Sequence, residues 1–133
     1  MHDTLIERAE RSIHEVHHLI HTVFTRPAAE TRDVLEQLMA VFADDFSMVT
    51  TAGALVDRSQ VRQMFDRVAG TRVGLHMLVS DVQVVWQAGS GVALRYKETH
   101  RLARVEQVRY SLVIVQCSAQ AVVWQCLHET ALG

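Results

Sequence analysis

The sequence predicts an α+β domain in which three helices pack on one face of a curved, mostly antiparallel sheet. In the first half of the chain, apolar residues recur every three or four positions, which is the period of amphipathic helices. From Leu75 onward that period ends, and stretches rich in Val, Leu, Tyr and Trp follow one another between short turns, as in strands. Helices first and meandering strands after them are typical of this fold class.

Three helices are predicted in the first half of the chain, at about 4–24, 27–43 and 59–69. Pro27 is the only proline, and it suits the first turn of the second helix. Asp57 or Ser59 can cap the start of the third helix, because a short oxygen-bearing side chain accepts from the first free backbone amides.

Five strands are predicted, a short one at 46–50 and four long ones at about 75–86, 91–101, 105–117 and 121–130. Turns rich in Gly, Ser or Ala separate most of them, but the connection near Leu102-Ala103 lacks Gly. A tight turn centred there pairs Tyr96 with Tyr110. A slip of one residue would turn every later side chain to the opposite face of the sheet.

The bulk composition indicates a single domain spanning residues 1–133. A net charge of −2 gives no reason to expect binding to nucleic acid or to a membrane surface. No apolar run approaches the roughly 20 residues that span a bilayer. Two cysteines, Cys117 and Cys126, do not make a disulfide scaffold, so we expect a reduced cytoplasmic protein. No motif indicates a cofactor.

His14-Glu15-Val16-His17-His18 matches H-E-x-x-H, the zinc-peptidase motif, in which two histidines one helical turn apart bind the metal. On a helical wheel, however, His18 lies nearly opposite the apolar stripe, so a metal there would sit on open surface. We therefore expect a solvated histidine-rich face and no metal site. His17 lies at the edge of the stripe and is expected to point toward the sheet, either into a pocket or against a backbone carbonyl.

Strand alternation predicts a pocket between the sheet and the helices. In strand 91–101, one face carries Arg95, Lys97 and Arg101, so Tyr96 and Glu98 are expected to face inward. With the predicted register, the polar and aromatic residues facing inward are Tyr96, Glu98, Tyr110, Trp124 and His128, among Leu94, Leu112, Ile114 and Cys126.

This set predicts acid–base chemistry. Glu98 in an apolar cavity is expected to have a raised pKa, as a general acid or base needs. His128 and Tyr96 would polarise a carbonyl group, and the expected ligand-binding residues are His17, Tyr110, Leu112 and Trp124. Two alternatives remain open: a pocket that binds without catalysis, and a self-satisfied polar network that only stabilises the sheet.

Five features together resemble the nuclear transport factor 2-like superfamily, which includes ketosteroid isomerase and the SnoaL-like polyketide cyclases. They are a helical histidine (His14 or His17), Asp44-Asp45-Phe46 after a helix, Met48-Val49-Thr50 before Gly53, Tyr96-Lys97-Glu98, and Trp124 before His128-Glu129-Thr130. The chain most resembles the small uncharacterised members of that group. The resemblance implies a cone-shaped, cystatin-like fold, a homodimer, and a pocket suited to a small apolar or partly polar molecule.

The resemblance also argues against steroid isomerisation. The general-base Asp of ketosteroid isomerase falls at Thr50, and the protonated Asp of its oxyanion hole falls at about Leu112. The position of its Tyr has only His17 or His21 nearby. Asp44 and Asp45 are expected to cap the preceding helix.

The sequence thus leaves two functions open. One is a small-molecule-binding protein or an enzyme of the isomerase, lyase or cyclase kind. The other is a non-catalytic interaction module. A homodimer through the outer sheet face is expected in either case, since the predicted register leaves apolar and charged side chains there: Val113, Val115 and Val123 with Arg109 and Glu129.

Overall fold

The computed structural model describes residues 4–133, which form three α-helices packed on a six-stranded mixed sheet. This architecture confirms the predicted fold class. The helices are α1 (Leu5–Thr25), α2 (Arg32–Val41) and α3 (Arg58–Val68), with a short 3-10 helix at Ala28–Glu30. The strands are β1 (Phe42–Val49), β2 (Leu55–Asp57), β3 (His76–Ala88), β4 (Gly91–Leu102), β5 (Val105–Cys117) and β6 (Val122–Leu132).

The strand order is β2-β1-β6-β5-β4-β3, and all neighbours are antiparallel except β1 and β6. The core lies between the helices and the inner sheet face, where Ile13, Leu38, Phe46, Tyr96 and Trp124 are fully buried. The parallel β1–β6 pair matters for the site, since it brings the first strand next to the last.

Side-chain caps fix where α1 and α3 begin. Thr4 accepts from the backbone amide of Glu7 at 3.0 Å. Asp57 and Gln60 form a capping box, in which each side chain accepts from the other residue's backbone amide at 2.9 Å. The predicted cap of the third helix is therefore Asp57.

The predicted helix at 27–43 is too long at both ends. Pro27 has an extended backbone, with ψ of 137°, so the α-helix begins only after Thr31. At the other end Phe42 is extended and pairs with Trp124 on β6. Asp44 and Asp45 therefore lie exposed on β1, and their predicted capping role is wrong; Asp45 instead accepts from Gln125 Nε2 at 2.7 Å.

The β4–β5 register differs from the predicted one by a single residue. Leu102 pairs with Val105, so the hairpin closes with a two-residue turn in which Ala103 has φ of +56°. Tyr96 accordingly pairs with Ser111 and not with Tyr110. Because side chains alternate along a strand, this difference reverses the faces of β5.

A bulge in β6 changes its faces a second time. Ile114 pairs with Cys126 and Val115 with Trp124, which leaves Gln125 as the extra residue. Trp124 and Leu127 therefore both point into the core, although three positions separate them. The same bulge turns His128 outward and Glu129 inward.

No helix within residues 4–133 combines the length and the apolar character that crossing a membrane requires.

Candidate functional site

A cavity of about 320 Å³ lies between α1, α3 and the inner face of the sheet. Its apolar lining residues are Ile20, Phe24, Phe42, Met48, Val61, Met64, Phe65, Val68, Trp124 and Leu127. Its polar lining residues include a connected cluster from α1, β4, β5 and β6, here called the polar part: His17, Glu98, His100, Gln107, Arg109 and Glu129. Thr50, Thr51 and Arg72 also line the cavity. A cavity of this size and mixed lining is typical of small-molecule sites.

Glu98 is the centre of the polar part. Its side chain is almost fully buried, and one carboxylate oxygen, Oε1, lies 2.5 Å from His100 Nε2. The other oxygen, Oε2, lies 3.2 Å from His17 Nε2. The carboxylate is therefore flanked by two imidazoles, one from the sheet and one from α1.

The flanking histidines decide the pKa of Glu98. Burial alone raises that pKa, but the hydrogen bond from His100 and the contact with His17 outweigh it and hold the pKa well below its ordinary value. The predicted rise of the Glu98 pKa is therefore wrong, since the sequence did not show that two imidazoles would meet the carboxylate. Glu98 is ionised at neutral pH.

His17 has both ring nitrogens engaged. Its Nδ1 lies 2.7 Å from the carbonyl oxygen of Ile13, which can only accept, so Nδ1 carries a proton. Its Nε2 faces Glu98. Burial lowers the pKa of His17, but the carboxylate of Glu98 more than offsets this and raises the pKa above its ordinary value. The arrangement favours an imidazolium–carboxylate pair.

His100 has one nitrogen engaged and one without a partner. With Nε2 donating to Glu98, the neutral ring carries its lone pair on Nδ1. That Nδ1 is buried and has no hydrogen-bond partner in residues 4–133. A carboxylate that fixes the tautomer of a histidine and leaves its other nitrogen as a base is a recurrent catalytic arrangement.

Arg109 and Glu129 form a second charged pair in the polar part. Arg109 is the cross-strand neighbour of Glu98, and its Nη1 lies 3.7 Å from Glu129 Oε1. Burial, followed by the negative charge of Glu98, raises the pKa of Glu129. Both residues were predicted on the outer face, which is wrong because of the one-residue difference in register and the β6 bulge.

The predicted site residues divide into three groups: those that line the cavity, one in the core beside it, and those on the outer sheet face. His17, Glu98 and Trp124 line the cavity. Tyr96 is fully buried beneath His17, with ring centroids 5.2 Å apart, and lies in the core next to the cavity. Burial and then the charge of Glu98 raise the Tyr96 pKa well above its ordinary value, so the hydroxyl stays protonated.

Tyr110, Leu112 and His128 were predicted to face the pocket, and this orientation is wrong. All three are exposed on the outer sheet face, because the turn at Ala103 and the β6 bulge reverse their strands there. Thr50, which the resemblance aligns with the isomerase base, lines the cavity and has no basic group.

His100, Arg109 and Glu129 line the cavity but were not predicted to belong to the site. The alternation of the strand predicted His100 on the same face as Glu98, which was the signal that it could join the site. Buried Val113 and Val115 gave a signal for β5, because a core position for them also turns Arg109 inward.

The histidines of the H-E-x-x-H motif in α1 lie on different faces of the helix, as the helical wheel predicts for His17 and His18. His14 and His18 are exposed, whereas His17 is buried. His21 is engaged by the carbonyl oxygen of Leu75, at 2.7 Å from Nε2. Among residues 4–133, no three His, Cys, Asp or Glu side chains come together in an arrangement that can hold a metal ion.

Solved structures similar to this chain match nearly its whole length. An NTF-2 like protein of unknown function from Pseudomonas aeruginosa is 31% identical, with a TM-score of 0.84, and the match covers 94% of this chain and 98% of that one. An NTF2-like protein of unknown function in nutrient uptake from Rhodospirillum rubrum is 13% identical, with a TM-score of 0.67 and coverage of 91% and 98%.

A protein of unknown function with a cystatin-like fold from Nostoc punctiforme is 15% identical, with a TM-score of 0.70 and coverage of 99% and 96%. The last two likenesses show the fold alone. No protein-family model and no curated protein matches the chain.

Proposed function

This chain belongs to the nuclear transport factor 2-like family, and we propose that it binds a small, partly apolar molecule in the cavity and acts on it by proton transfer. One observation carries the proposal: Glu98 is held between His17 and His100 in the polar part of the cavity. Buried acid–base groups beside a cavity of this size are typical of enzyme sites.

The proton-transfer step is assigned to His100, positioned by Glu98. The Glu98 carboxylate accepts from Nε2–H, which leaves the Nδ1 lone pair to take a proton from the ligand. Glu98 also stabilises the imidazolium that this transfer creates. Removal of a ligand proton by one base is a step that isomerases, lyases and cyclases share.

The apolar lining of the cavity supports binding of a hydrophobic ligand body. Phe24 and Phe65 from two different helices pack at 6.0 Å between ring centroids, and Trp124 closes the sheet side. Each Å² of apolar ligand surface removed from water contributes about 25 cal/mol, so a ligand body is drawn to this lining.

A substitution at the cavity wall tests the proposal. Met64 of α3 is half-buried and lines the cavity, so Met64→Trp is expected to fill it and weaken binding of the neutral dye N-phenylnaphthylamine by about tenfold or more, about 1.4 kcal/mol. The measurement is a fluorescence titration. Gln63→Trp, at an exposed position of the same helix, should bind the dye like the wild type. Equal binding by both variants would place the dye outside the cavity and count against the proposal.

The second candidate function is an interaction module that assembles through the outer sheet face as a homodimer. The observation that favours it is the exposure of large apolar side chains on β3 and β5, the two strands that flank β4: Trp86 is 57% exposed, Tyr110 43% and Leu112 36%. Large exposed apolar patches mark interaction surfaces, and we propose that a second copy of the chain covers these side chains.

Sedimentation velocity tests the homodimer. The wild type is expected to sediment at twice the chain mass, and Leu112→Lys at the chain mass, because a lysine would place a charge inside the interface. Leu55→Lys, on exposed β2 at the opposite end of the sheet, should leave the dimer intact. A monomeric wild type at micromolar concentration would exclude this interface.

A further inference from the structure

Arg109 presents unused hydrogen-bond donors in the polar part of the cavity. Its side chain is only 17% exposed, and its 3.7 Å contact with Glu129 is longer than a hydrogen bond. Its Nε is buried without a hydrogen-bond partner in the described part of the chain. A guanidinium has five N–H donors and is ordinarily paired when it is buried.

The acidic groups around Arg109 do not satisfy it. Glu98, its cross-strand neighbour, is already shared between His17 and His100. Glu129 lies 3.7 Å from Arg109, which is too long for a hydrogen bond, so it leaves the donors of the guanidinium free. The cavity is also lined by a second guanidinium, that of Arg72, which lies 5.9 Å from the centre of the Phe24 ring.

We propose that the ligand is an apolar carboxylic acid whose carboxylate binds Arg109 while its body lies against α3. The inference rests on the proposed binding function and names its ligand class. A carboxylate matches the planar guanidinium in a bidentate pair. A second negative charge on the ligand would meet Glu98 and Glu129, so a singly charged anion fits better than a phosphate monoester.

This placement also explains the position of the base. Arg109 and Glu98 are directly paired on neighbouring strands, and His100 lies two residues from Glu98 on the same face. A carboxylate anchored at Arg109 therefore brings the carbon atoms next to it toward the Glu98–His100 pair. The base therefore faces the end of the ligand that carries the carboxylate.

Displacement of N-phenylnaphthylamine by octanoate and by octanamide tests the ligand class, because the two differ only in the charged group. The wild type is expected to bind octanoate about tenfold or more tightly than octanamide. Arg109→Gln should remove this preference and leave octanamide binding within about twofold. The matched control is Arg95→Gln, which changes an exposed arginine on the outer face of β4 and should retain the preference for octanoate.

Glu129→Gln is a second variant, which distinguishes a binding role of Arg109 from a structural one. Removing the competing carboxylate should tighten octanoate binding severalfold and leave octanamide binding unchanged, a result that a merely structural role of Arg109 does not predict.

Equal binding of octanoate and octanamide to the wild type would overturn the carboxylate inference while leaving the cavity as a binding site. The carboxylate inference would also be overturned, and the cavity kept as a binding site, if the dye binds the wild type but not Met64→Trp and neither compound displaces it. If the dye itself does not bind the wild type, the proposed function fails with it. A preference for octanoate that survives Arg109→Gln would overturn the assignment to Arg109.

Discussion

Glu98→Gln is expected to lower the free energy of unfolding by about 3 kcal/mol at about pH 6. Removing one member of a buried ion pair costs about 3–5 kcal/mol, since the remaining charge loses its partner inside the protein. The lower end applies here because His17 can release its proton when the carboxylate is gone. The measurement is urea unfolding followed by far-ultraviolet circular dichroism.

The effect of Glu98→Gln should depend on pH in a defined direction. The Glu98 pKa is lowered on folding, so its stabilisation is present above its ordinary value of 4.5 and is lost as the pH falls through the folded value. The His17 pKa is raised, so its stabilisation is complete below 6.5 and is lost as the pH rises through the folded value. The difference in the free energy of unfolding between wild type and variant should therefore be largest between about pH 4.5 and pH 6.5.

Glu129 lies near Glu98 and His17, so its own titration must be distinguished from theirs. Its raised pKa makes folding less favourable as the pH rises above 4.5, in the same direction as His17. Comparison in a Glu129→Gln background isolates the His17–Glu98 contribution. Glu106→Gln, which breaks an exposed pair with Arg101, is the control and should cost less than about 1 kcal/mol. A Glu98 effect no larger than this control, or one that does not vary with pH, would contradict the buried ion pair.

Trp124→Ala is expected to lower the free energy of unfolding by about 3–5 kcal/mol, the range for buried Trp-to-Ala substitutions. Trp124 is fully buried, lies edge-on to Phe42 with ring centroids 6.1 Å apart, and donates from Nε1 to Ser12 Oγ at 3.1 Å. The substitution removes the contacts of the Trp124 side chain with Ser12 of α1 and Phe42 of β1. Urea unfolding measures the loss.

Two further substitutions make this result specific. Trp124→Phe keeps an aromatic ring but loses the hydrogen bond to Ser12, so a smaller loss of about 1 kcal/mol is expected. Leu55→Ala truncates a side chain that is 71% exposed and should stay within about 0.5 kcal/mol of the wild type. A loss for Trp124→Ala as small as that for Leu55→Ala would show that Trp124 is not a core residue.

The fold could be predicted because its main helices and strands are long enough for their periodic patterns to tolerate an error at one position. The helical period of α1 and the alternation of β4 each extend over at least ten residues, and a boundary error of one residue leaves their identity unchanged. The three-residue strand β2 escaped prediction, since a segment that short has too few residues to show a period.

Among the strands that form the site, the sequence predicted the side-chain orientation correctly only for β4. Within β4 the charged face settles which side chains point inward, and Glu98 was placed correctly. On β5 and β6 the orientation depends on a turn without glycine and on a bulge, and a single residue at either reverses a face. A two-residue hairpin at Ala103-Arg104, the commonest connection length, would have given the observed register of β5.

The dye titration tests the central claim most directly, since every functional inference depends on a cavity that admits a ligand. The wild type is expected to bind one N-phenylnaphthylamine per chain in a saturable manner, and Met64→Trp to lose that binding while Gln63→Trp retains it. A folded wild-type protein that binds no dye, or binds it as well with tryptophan at position 64, would contradict the claim.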